Sequence, residues 1–581
     1  MRDDLYYLNG IAASLAATLR ELLGEEVEAT SPAPVADLSV PARREHGDLT
    51  TNAALASAKR AGRPPRELAQ ELGERWSAGP GRGCCERFEV AGPGFLNLFL
   101  TDEWYRGALQ CQLSEGPDYG SGCVPESDRQ RMNVEFVSVN PTGPLHVGHA
   151  RYASYGDALC RILAFVGHDV TREFYVNDYG TQMMRFGQSL VARYGQRLGL
   201  ETPLPEDGYQ GAYVFDLADR LIGDVGERYR PALLEAGDDV SELSPDVVAD
   251  VAAWGRDAVL AMFRSTLERL RVSFDEWVQE SSLYRGDEGY RGFAGEVGKA
   301  LADLDGEGLL FEEGGAVWLR TTEYGDDKDR VLIRSSGQPT YFLSDIAYHR
   351  DKMDRGFAHM VDIWGADHHG YVPRMKAAFT ALPPHDPERL ELIIGQLVSL
   401  VESGEAKRMS KRRGDIVLVD DLTDAIGVDA ARFLLVGRSH DTTLELDIDL
   451  AVQRSSQNPV YYVQYAHARI CSILRHLEDA GVSIAGESLP GVAVGQHERS
   501  LIGVLARWPE VLSIAAAQRA PHRVHSYLTE LSAEFHTFYK HCRVLGDDVD
   551  VSLFRAGLCD ATRATLATGL GLLGVDAPER M

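Results

Sequence analysis

Cysteine is scarce in this chain: eight in 581 residues, with no Cys-x-x-Cys pair. That excludes a zinc ribbon and a disulfide framework, and the expected thiols are free and buried or half-buried. No apolar run reads as long enough to cross a bilayer. The start, Met1-Arg2-Asp3-Asp4-Leu5, lacks the basic lead and apolar core of a secretion signal, so the expected location is the cytoplasm. Positive charge is short too, with 59 Lys and Arg against 87 Asp and Glu, a net −28. A protein that grips nucleic acid over its whole surface has the opposite balance. An RNA partner would have to use local basic faces, with the acidic remainder repelling misplaced binding. The shortage is uneven. Residues 201–300 carry 21 acidic and 10 basic side chains, whereas 455–581 carry 13 and 11, with seven of the 17 histidines. Internal repeats and low-complexity tracts are also missing.

What is present is an ordinary globular composition, 44% hydrophobic and 25% charged, at a length that predicts three or four domains. The chain is organised around Val139-Asn140-Pro141-Thr142-Gly143-Pro144-Leu145-His146-Val147-Gly148-His149. Before it, Met132 to Val139 reads as a strand. After it, Tyr155, Leu159, Ile162, Leu163 and Val166 recur at helical spacing. The stretch is therefore a strand-to-helix turn. Its Pro and Gly residues let backbone approach a ligand. Unpaired N–H groups at the helix start favour an anion such as a phosphate. His146 and His149 can each add a ring hydrogen bond, and Gly148 leaves a flat patch for a purine.

The predicted fold class is α/β: a split, doubly wound parallel sheet with a small α/β N-terminal domain and an all-α C-terminal domain. Residues 1–115 read as the N-terminal module and 116–131, rich in Gly, Ser and Pro, as a linker. The first half of the core is 132–189, with a second strand from Asp169 to Val176. Residues 190–300, acidic and mainly helical, read as an insertion that splits the sheet. The second half, 301–454, is expected to resume it with Gly315–Leu319 and Arg330–Ile333 and to include Leu397–Val401. Residues 455–581 are helical.

A second stretch carries chemistry. Five of the seven residues from Lys407 to Arg413 are cationic, between glycines at 404 and 414. They fit a loop that closes over a triphosphate, with Lys411 as the point charge and Ser410 as an added donor. It lies about 260 residues beyond the two histidines.

His146-Val147-Gly148-His149 resembles the HIGH signature of class I aminoacyl-tRNA synthetases, and Arg408-Met409-Ser410-Lys411 resembles their KMSK loop, with Arg408 where that motif has its first Lys. Four further stretches make the resemblance specific to arginyl-tRNA synthetases: Glu135 to Pro144, Tyr175 to Gly180, Gly365 to Gly370 and Asn458 to Arg469. The C-terminal Ala577 to Met581 fits as well. The resemblance implies ATP-dependent attachment of L-arginine to its tRNA through an adenylate. ATP arrives with Mg²⁺ as a substrate complex, and no protein-bound metal is expected.

The same resemblance implies the site. His146, His149 and Lys411 would be catalytic. Pro141 to His149 (Pro141, Thr142, Gly143, Pro144, Leu145, His146, Val147, Gly148, His149) and Arg408, Met409, Ser410 and Lys411 would bind ATP. Glu135 and Asn140 would take the amino and carboxylate ends of arginine and Tyr341 and Asp345 its guanidinium, with Asp367 and His368 as further candidates. A guanidinium is a planar fork of five donors, which carboxylates and aromatic faces suit. Asn52 in the N-terminal module and Tyr461, Tyr465 and Arg469 in the C-terminal domain would contact tRNA(Arg). The expected partners are arginine, ATP and this tRNA, with neither membrane nor DNA, and the expected state is a monomer. Two rivals remain open: a tRNA-binding paralogue without activity, and a synthetase for another amino acid.

Overall fold

The computed structural model describes residues 3–24, 37–41, 43–237, 239–286, 289–407, 417–482 and 488–581. At its centre is a five-stranded, all-parallel sheet. Its strands are β1 (Arg131–Glu135), β2 (Asp169–Val176), β3 (Glu276–Gln279), β4 (His359–Gly365) and β5 (Leu390–Gly395), in the order 3-2-1-4-5. The order reverses between β1 and β4, and in such sheets ligands bind beyond the carboxyl ends of the strands at that point. Four of the five β1 residues are buried, as expected of a central strand covered on both faces.

The helices that matter for the site are α1 (Val147–Phe165), α2 (Thr181–Arg197), α3 (Pro245–Arg269), α4 (Tyr341–Asp354), α5 (Pro459–Asp479) and α6 (Val549–Leu572). α1 is buried on almost every side. Leu159, Ile162 and Leu163 join the main core, which fits the helical spacing seen in the sequence. Among the described residues, a four-stranded antiparallel sheet and four α-helices make up the N-terminal module. In it a turn at Gly92-Pro93-Gly94 joins two antiparallel strands, Cys85–Ala91 and Phe95–Leu100. All eight thiols are free and buried or half-buried.

The structure corrects several expectations. The span 190–300 is not separate from the sheet. It begins inside α2, and near its end it supplies β3, an edge strand of only four residues that lacks the apolar run of a central strand. Ala316–Leu319 and Arg330–Ile333 do not resume the parallel sheet; with Leu310–Glu313 they form an antiparallel three-stranded sheet. Val398–Glu402 lies in a third sheet, parallel to Leu444–Asp447 and antiparallel to Glu405–Lys407. Finally, Gln496–Ala517 is long and apolar enough to pass for a membrane helix. It consists of two helices meeting at Arg507, and Leu501, Ile502, Leu505, Trp508 and Leu512 face the protein core.

One buried ion pair joins three of these regions. Arg432 is fully buried and pairs with Asp157 of α1, also fully buried. Its other donors reach the carbonyls of Leu573 at 2.9 Å, just past α6, and Leu270 at 2.8 Å, just past α3. Gly574 comes next with φ 69°, and a Cβ there would lie 2.2 Å from the guanidinium, so only glycine fits. Asp157→Ala strands a guanidinium in the interior. We expect a loss of about 3–5 kcal/mol in denaturant unfolding; a loss below about 1 kcal/mol would contradict this role.

Candidate active site

Past β1 the chain leaves the sheet abruptly. Val137 (φ 70°) and Ser138 (φ 37°) both have positive φ, which is strained for a β-branched residue and persists only when neighbours impose it. Here the Ser138 hydroxyl accepts from the Tyr175 N–H at 3.0 Å, and the Ser138 carbonyl accepts from Asn177 at 3.4 Å. Tyr213, in the segment past α2, braces the next residues by donating to the Thr142 carbonyl at 2.6 Å. Asn140 donates to Gln182 at the start of α2.

His146 caps α1. Its Nδ1 accepts from the Gly148 N–H at 3.2 Å, while the His146 N–H donates to His149 Nδ1 at 3.2 Å. The two rings stack with centroids 3.6 Å apart. With both Nδ1 atoms accepting, each neutral ring carries its proton on Nε2, as a donor. A Cβ at Gly148 would press on the His146 ring at 3.1 Å. The glycine is thus needed for the histidine's own position.

Arg408, Met409, Ser410 and Lys411 lie outside the described residues. The chain from Val417 onward is placed directly on the histidine turn. Val147 N–H donates to the Val417 carbonyl at 3.0 Å, and Val419 N–H donates to the Leu145 carbonyl at 3.0 Å. His146 and Leu418 form an antiparallel bridge. On the upstream side, Arg151 of α1 is buried and collects four carbonyls, of Gln396, Leu397, Ser439 and Thr442, at 2.8 to 3.4 Å. It anchors the base of the strand leading to Lys407. Tyr152 donates to the Gly395 carbonyl at 3.1 Å, so α1 begins over the carboxyl end of β5. Sequence reasoning misses Arg151 and Tyr152, whose only signal is adjacency to His149.

Glu135 ends β1, directly opposite Asp362 of β4. Two carboxylates side by side repel, and Lys352 of α4 resolves this. Its fully buried ammonium reaches Glu135 Oε2 at 2.7 Å and Asp362 Oδ1 at 2.8 Å. His349 sits one turn earlier, with Nε2 at 2.7 Å from Asp362 Oδ2 and Nδ1 at 2.7 Å from the Asp345 carbonyl. Both ring nitrogens face acceptors, so both carry protons. Burial works against that charge, but Asp362 prevails and raises the imidazole pKa. Burial also opposes ionisation of Asp362, yet Lys352 and His349 hold it down at about 2. For Glu135 burial prevails over the pull of Lys352 and pushes the carboxyl up. Glu135 is therefore already engaged within the protein. Sequence reasoning also misses Lys352, His349 and Asp362, although 345, 349 and 352 repeat at i, i+4, i+7 as a polar stripe on one helix.

Asp345, on the first turns of α4, is different. Tyr371 donates to its Oδ2 at 2.5 Å. Burial pushes its carboxyl up to about 6, partly opposed by Tyr371, His349 and His368. Tyr341 is 52% exposed, and its hydroxyl lies 3.0 Å from where a Cβ at Gly180 would sit. It thus reaches from α4 to the loop past β2. Asp367 and His368 are exposed, with His368 Nε2 3.5 Å from Asp367 and its ring 5.8 Å from Trp364. The carboxyl ends of β1, β2, β4 and β5 therefore bring together Glu135, Asn140, the histidine turn, Tyr341, Asp345, Asp367 and His368.

The remaining candidates lie on the outer domains. Asn52 precedes the helix Ala53–Ala61, and its exposed side chain makes no capping bond. On α5, Tyr461 and Tyr465 stack at 6.0 Å, 8° from parallel. The Arg469 guanidinium lies 4.8 Å over Tyr465 and donates to its hydroxyl at 2.7 Å. All three are half-buried, so their outer faces form a short aromatic and cationic ladder.

Known proteins resemble this chain over nearly its whole length. Three family profiles match: "Arginyl tRNA synthetase N terminal domain" over residues 9–100, "tRNA synthetases class I (R), catalytic domain" over 117–207, and "DALR anticodon binding domain" over 463–581. The chain is 44% identical to an arginine–tRNA ligase of Syntrophotalea carbinolica over 97% of this chain and 99% of that protein. It is 41% identical to the Bacillus subtilis arginine–tRNA ligase over 98% and 100%. The Thermus thermophilus arginyl-tRNA synthetase structure has the same fold, with TM-score 0.72 at 24% identity over 99% and 100% of the two chains.

The ion network makes a definite prediction. Lys352→Met orphans two buried carboxylates and should cost about 3–5 kcal/mol of stability. Adding Glu135→Gln to Lys352→Met should recover part of that loss, because it removes one orphaned charge. A double variant as unstable as the two single losses added together would contradict the network.

Proposed function

The chain belongs to the arginyl-tRNA synthetase family, and from that premise we infer the chemistry of its site: ATP-dependent attachment of L-arginine to its cognate tRNA through an arginyl-adenylate. One observation carries the reading. The segment after the cationic loop is hydrogen-bonded to the histidine turn, at the sheet edge where α4 presents Asp345.

In the first step the arginine carboxylate attacks the α-phosphorus of ATP in line. One P–O bond forms as the bond to pyrophosphate breaks, so no protein nucleophile is needed. Stabilising the phosphate charge falls to the Nε2–H groups of His146 and His149, to the N-terminus of α1 and to Lys411, with Mg²⁺ arriving on ATP. Pro141 to His149 and Arg408 to Lys411 form the nucleotide site in this reading. Val147 and Leu145 contribute by holding the turn in shape through their backbone bonds to Val417 and Val419, since both side chains are buried. In the second step a hydroxyl of the terminal tRNA ribose attacks the arginyl carbonyl and AMP leaves.

For arginine itself, Asn140 and the second oxygen of Glu135 take the α-amino and carboxylate ends, and Tyr341 and Asp345 take the guanidinium. Asp367 and His368 line the rim. The ladder of Tyr461, Tyr465 and Arg469 supports base stacking in the anticodon domain, and Asn52 supports a contact in the N-terminal domain. The division proposed is 1–115 for the tRNA elbow, a linker at 116–131, a core of 132–189 and 301–454 around the 190–300 insertion, and 455–581 for the anticodon. The same reading takes the enzyme as a cytoplasmic monomer whose macromolecular partner is tRNA(Arg) and not DNA.

Charging assays with each of the twenty amino acids test the substrate: arginine alone should be esterified, and preference for any other would refute the reading. For the loop, Lys411→Ala should lower kcat about 100- to 1,000-fold with little change in the arginine KM. An unchanged kcat with a raised arginine KM would contradict the role given to Lys411.

A further inference from the structure

At the amino-terminal end of the central sheet, the start of β5 meets the C-terminal domain through Arg519. This residue lies in the turn between the helices Trp508–Ala517 and His522–His541. It has φ 50°, a left-handed conformation that glycine adopts freely and that strains a residue with a side chain. Such strain persists where neighbours impose it, and here they hold the residue from two sides. The guanidinium donates to Glu391 of β5 at 2.9 Å and to the Ala516 carbonyl of its own turn at 2.7 Å. His359, at the start of β4, stands 3.2 Å from the same Glu391 oxygen. The Arg519 carbonyl accepts from the hydroxyl of Tyr155, a buried residue of α1.

Tyr155 passes this contact on. Burial raises the pKa of its phenol, so the hydroxyl stays protonated. A carbonyl only accepts, so the phenol proton goes to Arg519. His440 Nδ1, 3.3 Å from the phenol oxygen, is then the donor of the second bond. Burial lowers the pKa of His440, so near neutral pH its ring is uncharged with the proton on Nδ1. The His440 carbonyl in turn accepts from the Gln396 N–H at 2.8 Å. Arg151 lies four residues before Tyr155, on the same face of α1. It ties Ser439 and Thr442, on either side of His440, to Gln396 and Leu397. Gln396 and Leu397 join β5 to Val398–Glu402, the strand that leads through Glu405–Lys407 into the cationic stretch.

We propose that Arg519 is a positioning residue for adenylate formation: from the C-terminal domain it sets Tyr155 and the His440 loop, and through them the base of the strand that leads to the cationic stretch. This rests on the ATP reading of that stretch. Glycine at 519 would make the same turn without strain, so the arginine spends that strain on its link to Glu391. The seam also joins the C-terminal domain to two elements of the nucleotide site at once. One is α1, whose first residues are the histidine turn, and the other is the joint at Gln396 and Leu397. A group misplaced by about 1 Å through a distant change loses about 100-fold in rate. The seating of the C-terminal domain therefore governs the ATP step from the far end of the strands.

The test is charging kinetics of the full chain, with Tyr155→Phe measured in two backgrounds. This change removes one oxygen and keeps the ring. It should lower kcat about 10- to 100-fold while the arginine KM stays within about twofold. In a Lys411→Ala background the same change should cost less than about threefold, because the group that depends on the positioning is already gone. A seam that only holds the domains together would lower Tm and cost the same factor in both backgrounds. Should Tyr155→Phe fold poorly, Arg519→Gly keeps the turn and its carbonyl and loses only the guanidinium. It should lower kcat about 3- to 10-fold, and Arg519→Lys, which keeps a cation for Glu391, should recover most of that loss. Wild-type kcat in a folded Tyr155→Phe or Arg519→Gly protein, or equal factors with and without Lys411, would overturn the positioning role alone. A Lys411→Ala protein with wild-type kcat would overturn the ATP reading itself.

Discussion

Two carboxylates face each other across adjacent parallel strands, Glu135 on β1 and Asp362 on β4, at the point where the strand order reverses. Strand register allows them no separation, so a cation has to stand between them. Lys352 supplies it from the last turn of α4, and His349 adds a second contact one turn earlier. This fixes the height and rotation of α4 on the sheet. Asp345 and Tyr341, nearer its N-terminus, are then held at the mouth of the site by the same helix. The network acts less as a source of stability than as a device of placement, since buried ion pairs roughly balance their own desolvation.

The nucleotide side is assembled by equally remote parts of the chain. Val417 and Val419 add backbone pairing to the histidine turn, Arg151 gathers four carbonyls from two later loops, and Tyr213 braces the loop at Thr142. The residues that would touch ligand are few. Those that position them come from the insertion, from both halves of the core and from the segment after the cationic loop. The acidic insertion is therefore continuous with the site: it carries Tyr213 and it delivers β3.

Much of this is legible in the sequence because local chemistry marks it. The Pro-Thr-Gly-Pro turn, the paired histidines and the cationic stretch break secondary structure or concentrate charge. The turn and the histidines fall on the strand-to-helix junction expected of them. Residues that matter through pairing are not legible. Lys352 looks like a solvated helix lysine and Asp362 like part of a strand end. Their burial depends on strand order, which a linear reading does not supply. The same blindness puts Ala316–Leu319 and Val398–Glu402 in the parallel sheet. Short apolar strands carry no label for their partners, and only register distinguishes a parallel neighbour from a hairpin.

The central claim is that Lys352 and His349 hold Glu135 and Asp362 in place between β1 and β4, leaving the carboxylate of Asp345 for the substrate guanidinium. The most direct measurement is a crystal structure of the complex with L-arginine and a non-hydrolysable ATP analogue. The guanidinium should then lie at about 3 Å from Asp345, with Lys352 still between Glu135 and Asp362 and the phosphates over the start of α1. A guanidinium seated between Glu135 and Asp362, with Lys352 displaced, would contradict the claim.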